Sequence, residues 1–194
     1  MTRFQVSGLL PEEDMAIFMA AHQELVAAYT CPDTDRVSSH NDLFKPDNIL
    51  IDGSRLWLVD WEAAFRNDRY ADLAVVANHL LSDESQERGF LAEYLDVTPT
   101  PYQWARLHLM RQLSHLFYTA AFIQIGSQGQ AVQWDEPLPN FAEFNRAMWA
   151  GNVDLAEPRV KILYGKAHWG QFQRNRELPS YQEALQIAAE NRVP

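Results

Sequence analysis

The side chains of this sequence that could do chemistry concentrate in one run, Ser39-His40-Asn41-Asp42-Leu43-Phe44-Lys45-Pro46-Asp47-Asn48, followed a short way on by Asp60 and Glu62. A polar loop with one Asp, a nearby Asn and then a second Asp is what phosphoryl transfer from a nucleotide requires. One carboxylate orients the attacking hydroxyl and accepts its proton. The Asn amide oxygen and the other carboxylate hold magnesium against the phosphates. Magnesium prefers such hard oxygens and keeps part of its water shell, so two or three protein ligands suffice.

These residues need elements to position them. Ile49-Leu50-Ile51 and Leu56-Trp57-Leu58-Val59 flank the turn-forming Asp52-Gly53-Ser54-Arg55 and read as a β-hairpin. A loop plus one hairpin returns the chain to its start, so Asp42, Asn48 and Asp60 are expected to converge on one cleft. Upstream, Pro11 to about Tyr29 reads as an amphipathic helix that carries Glu12, Glu13 and Asp14 at its positive end and stops at Cys31-Pro32-Asp33. From Arg69 onward the apolar period is helical, with helices expected over residues 69–82, 84–95, 100–125, 138–150, 157–174 and 180–191. The fold class is therefore mainly α with one small β-hairpin, in a single domain over residues 1–194, with Leu73, Val76, Leu80, Leu113, Leu116 and Phe117 expected in the core. Gly126-Ser127-Gln128-Gly129-Gln130 follows a helix rather than a strand, so it reads as a connection and not as a phosphate cradle.

His40-Asn41-Asp42-Leu43 through Asn48-Ile49-Leu50 resembles the catalytic loop of the aminoglycoside phosphotransferase and choline/ethanolamine kinase families. Val59-Asp60-Trp61-Glu62 resembles their metal-binding segment, and Asn67-Asp68-Arg69-Tyr70-Ala71-Asp72-Leu73-Ala74 is similar to the choline-kinase side of that group. The resemblance covers about residues 38–80. It implies the C-terminal lobe of a protein-kinase-like fold and an ATP-dependent transfer to a hydroxyl of a small molecule such as an amino alcohol or aminoglycoside, with Mg2+ and ATP or another nucleoside triphosphate. By resemblance Asp42 is the catalytic base, Asn48 and Asp60 are magnesium ligands, His40 braces the loop, and Asp72 anchors it from the following helix. Lys45 is the candidate nucleotide-binding cation, with Trp61 and Glu62 as further site candidates; Lys45 and Glu62 also suit plain solvated loop positions. The spacing departs from the kinase pattern, because Asn48 is the sixth residue after Asp42 and Asp47 occupies the fifth place. Asn48 is favoured because it directly precedes a strand, and Asp47 stays open as a substitute ligand.

A kinase of this type also needs a phosphate-covering loop and a strand Lys paired with a Glu. The only lysines are Lys45, Lys161 and Lys166, and Gly8 is the only glycine before Asp42, so the N-terminal, nucleotide-covering lobe is expected to be absent from this chain. Losing two charge-assisted phosphate contacts would weaken binding by roughly two to four orders of magnitude. A second chain supplying that lobe, or a homo-oligomer, is one expectation, and a catalytically silent binding or interaction module is the alternative. The formal charge of -10 opposes nucleic acid and anionic membranes and suits a cationic small substrate. One cysteine, Cys31, and the lack of a long apolar run point to a soluble, cytoplasmic protein. Trp104, Trp134, Trp149 and Trp169 read as core more readily than as a box for a quaternary ammonium group. His108 and His115 share a helix face, but no further ligand completes a metal set there.

Overall fold

Residues 8–191 are described by a computed structural model. Its elements are α1 (Glu12–Ala28), β1 (Arg36–Ser39), β2 (Ile49–Asp52), β3 (Arg55–Leu58), β4 (Phe65–Asp68), α2 (Arg69–Leu80), α3 (Glu84–Leu95), α4 (Pro101–Ser127), α5 (Phe141–Trp149), α6 (Pro158–Arg176) and α7 (Pro179–Glu190). The expected helices are all present, and their starts follow from local chemistry. Asp68 accepts the Tyr70 amide at 2.9 Å to cap α2, Asp83 accepts the Gln86 amide at 2.9 Å to cap α3, and Asn140 accepts the Glu143 amide at 3.1 Å to cap α5. Pro158 opens α6 where its missing N–H costs nothing.

The described residues divide into two compact units, one of residues 28–111 with 183–191, the other of residues 8–27 with 112–182. The first unit contains all four strands of the described residues. The expected hairpin pairs Ile49 with Leu58 and Asp52 with Arg55, and Gly53 takes φ +60° in its two-residue turn. The expectation of a single hairpin needs correction, because β1 and β4 form a second antiparallel ladder running from Arg36↔Asp68 to Ser39↔Phe65. Arg-Val-Ser-Ser and Phe-Arg-Asn-Asp lack an apolar alternation, so neither reads as a strand alone; pairing across the intervening loop and hairpin makes them one. The core of this unit is Tyr70, Leu73, Ala74, Leu91 and Leu107, with Phe90, Leu95, Trp104 and Met110 packed against it.

The second unit is built on aromatic packing. Phe18 of α1 meets Trp169 at 5.9 Å between centroids, Trp169 stacks on Phe172 at 5.7 Å, and Phe144 stacks on Tyr164 at 5.3 Å. Trp169 is fully buried and belongs to this core. Gly165 lets α6 approach α4: a Cβ there would sit 2.7 Å from the Ile123 side chain and 3.2 Å from the Thr119 carbonyl. Two expected core positions are corrected. Leu116 is buried, but Phe117 is 62% exposed because one residue further turns the side chain about 100° around the helix. Leu80, in the first unit, is 47% exposed at the end of α2. Among the described residues no helix is long and apolar enough to cross a membrane.

Candidate functional site

The strand β1 ends at Ser39 and delivers His40, Asn41 and Asp42 directly into the loop. Asn41 adopts φ +63°, a left-handed conformation that Asn tolerates better than most residues because its short amide can bond locally. That amide donates to the Ser39 carbonyl at 3.0 Å and to the Ala63 carbonyl at 3.2 Å, while its oxygen accepts from Asn67 Nδ2 at 2.7 Å. Asp72, in the first turn of α2, accepts the His40 N–H at 2.6 Å on one oxygen and the Asn41 N–H at 2.8 Å on the other. Two consecutive backbone amides on one carboxylate fix the direction in which Asp42 leaves the loop.

His40 is buried, and its ring nitrogen Nε2 lies 2.7 Å from the Val59 carbonyl. A carbonyl only accepts, so the proton sits on Nε2. The Val59 N–H in turn donates to the Asn48 carbonyl at 3.0 Å. Both polar groups of Val59 are thus bonded to the Asp42 loop, and Asp60 is the next residue. Asp60 takes φ 64° and ψ 59°, a second non-glycine left-handed residue, and its side chain is exposed. Trp61 lies against the His40 ring at 4.7 Å and donates from its indole N–H to the Leu58 carbonyl at 2.8 Å.

Asp42 and Asn48 meet directly. Asn48 is 3% exposed, and its Nδ2 donates to the Asp42 carbonyl at 2.8 Å and to Asp42 Oδ2 at 3.1 Å. The turn Pro46–Asn48 makes this contact by pointing Asn48 inward and leaving Asp47 exposed. Lys45 Nζ donates to the same Asp42 Oδ2 at 2.6 Å. That bond holds the Lys45 ammonium above its ordinary pKa against the cost of partial burial, helped by the charges of Asp42, Asp60 and Glu62. These three carboxylates therefore act on one cation. With both Asn48 donor contacts spent on Asp42, its amide oxygen and the exposed Asp60 carboxylate are the hard oxygen donors that fit a magnesium ion. Among the described residues no group of three or more His, Cys, Asp or Glu side chains is placed to hold a metal.

The remaining sequence candidates lie elsewhere. His115 Nδ1 is 2.8 Å from His168 Nδ1 inside the aromatic core of the second unit, and burial pushes the His108 pKa down to about 4. Trp134 donates to the Leu9 carbonyl at 3.0 Å and faces Lys166, and Trp104 is covered by Arg88. Asn67 was not singled out in the sequence as a loop partner, although it opens the third matching run; its contact with Asn41 depends on the β1–β4 register.

A sequence model of the phosphotransferase enzyme family matches residues 5–109, a span that contains Asp42, Asn48, Asp60 and Asp72. Among solved structures, a choline/ethanolamine kinase family protein from Mesorhizobium loti is similar, with a TM-score of 0.62 and 18% identity over 94% of this chain and 52% of that one. At this identity the likeness is one of fold, and the chain spans about half the length of that protein. No curated protein matches the chain.

Proposed function

Because this chain belongs to the phosphotransferase enzyme family, we propose that it carries the catalytic lobe of an ATP-dependent kinase acting on a hydroxyl of a small, cationic molecule such as an amino alcohol or an aminoglycoside. Asp42 is the base in this reading. It takes the proton of the substrate hydroxyl as the hydroxyl oxygen bonds to the terminal phosphorus of ATP and the bond to the ADP oxygen breaks. Asn48 and Asp60 would hold magnesium, which would supply charge neutralisation at the phosphates. Asn48 also holds the Asp42 carboxylate, so one amide orients the base with its nitrogen and offers its oxygen to the metal. Lys45 leaves Asp42 to meet a phosphate oxygen, and the exposed Asp60, Glu62 and Asp47 carboxylates favour a cationic substrate.

The observation that supports this reading is the double tie of Asn48 to Asp42 and of Val59 to both His40 and Asn48, which holds Asp42, Asn48 and the residue before Asp60 together. The described residues hold two two-stranded sheets, and the chain spans 52% of the similar kinase-family structure. Both support assigning it to the C-terminal lobe, with the phosphate-covering elements supplied by another segment or a second chain. Incubation with ATP, magnesium and a panel of amino alcohols and aminoglycosides, with ADP as the readout, tests the proposal. Weak or no turnover is expected from the chain alone, recovery on adding the covering lobe in trans, and loss of that recovery in Asp42→Ala. ADP release unaltered by Asp42→Ala would remove the base from the mechanism.

A further inference from the structure

Arg106 lies in α4, outside every motif that marks the loop, and is 3% exposed. A guanidinium so buried needs its charge balanced. Its Nη1 meets Asp35 and its Nη2 donates to Asp68 Oδ2 at 3.0 Å. The rings of Tyr70, Tyr29 and Tyr102 lie 4.5, 5.2 and 5.8 Å from it. The Tyr29 hydroxyl donates to Asp68 at 2.8 Å, and burial together with the Asp68 charge pushes its pKa up, so it stays a donor. Asp35 is also paired with Arg69 at 3.3 Å, which leaves two carboxylates facing two guanidinium groups.

The places of these two carboxylates in the chain give Arg106 a reach beyond local packing. Asp35 directly precedes β1, and Asp68 is the last residue of β4, paired with Arg36 across the ladder. Arg106 therefore joins the two strands at one end, and the Asp42 loop leaves from the other, roughly 10 Å along. Asp68 is also the N-cap of α2, and one turn into α2 stands Asp72, which holds the His40 and Asn41 amides. The chain of contacts closes on itself: Arg106 to Asp68, along α2 to Asp72, into the loop, back along β1 to Asp35, and to Arg106. We infer that Arg106 is a positioning residue for the Asp42 loop, setting its register from the far end of the ladder and through the α2 cap. A lysine could meet one carboxylate but not both in this forked geometry.

The inference rests on the reading of Asp42 as the base, but its test does not depend on transfer. Amide hydrogen exchange by NMR would compare the chain with Arg106→Lys and Arg106→Met. In Arg106→Lys the His40 and Asn41 amides are expected to exchange about tenfold faster or more, while the α3 amides, in the same unit and on its core, keep their protection. Arg106→Met is expected to act in the same direction and further; should it fail to fold, Arg106→Lys decides. Unchanged His40 and Asn41 protection in Arg106→Lys, or a loss shared equally by the α3 amides, would overturn the inference and reduce Arg106 to general stability. Transfer that fails to recover when the covering lobe is added in trans would count against the kinase reading and leave the exchange result standing.

Discussion

Asp42 and Asp60 differ in what surrounds them, and that difference separates the roles proposed for them. Asp42 is 9% exposed and held by Lys45 and Asn48, whereas Asp60 faces solvent from a left-handed backbone. Asp42→Ala is expected to abolish transfer at any magnesium concentration. Asp60→Ala is expected to raise the magnesium requirement and to recover in part when magnesium is high, as a titration of transfer rate against metal would show. Lys45→Met is expected to weaken nucleotide binding by about ten- to a hundredfold, read by calorimetry, since a charge-assisted hydrogen bond contributes about 1.5–3 kcal/mol. Asp42 and Lys45 were legible in the sequence because they lie in one contiguous run, and Asp60 because a short hairpin returns the chain to that run. The choice between Asp47 and Asn48 was less so, since it depends on how the short turn Pro46–Asn48 aims two adjacent side chains.

At the scale of elements, the helices and the hairpin follow from apolar period, caps and a Gly turn. The β1–β4 ladder does not, because its strands are short and polar and their partner lies across the whole Asp42 loop and the hairpin. Asp72 shows what such long-range pairing achieves: one carboxylate in α2 takes two loop amides that no local pattern pairs with it. Asp72→Asn retains at most one of these acceptor contacts and is expected to cost about 1.5–3 kcal/mol in urea unfolding. The second unit offers an independent check of helix packing. A Cβ at Gly126 would lie 2.6 Å from the Pro158 carbonyl and 2.9 Å from the Ile162 side chain, so Gly126→Ala is expected to destabilise by about 1–3 kcal/mol although alanine favours helix.

For the molecule as a whole, acid should be destabilising in a defined window. Burial pushes the pKa of His79 and of His108 down to about 4 from 6.5, with the His79 Nδ1–H donating to the Val75 carbonyl at 2.7 Å. Both are neutral in the folded chain and take up a proton more readily when unfolded. Their contribution is complete above pH 6.5 and is lost as pH falls toward about 4, by about 1.4 kcal/mol per pH unit for each histidine. Urea unfolding at a series of pH values checks this, and His79→Gln should flatten the slope if it folds. The central claim is that Asn48 and Asp60 hold the metal beside Asp42, and paramagnetic Mn2+ reads it directly. Titrating the 15N-labelled chain with Mn2+ and a non-hydrolysable ATP analogue is expected to broaden the Asn48 and Asp60 amides first, leave α6 sharp, and require more Mn2+ in Asp60→Ala. Broadening centred away from this loop, or unaltered by Asp60→Ala, would contradict it.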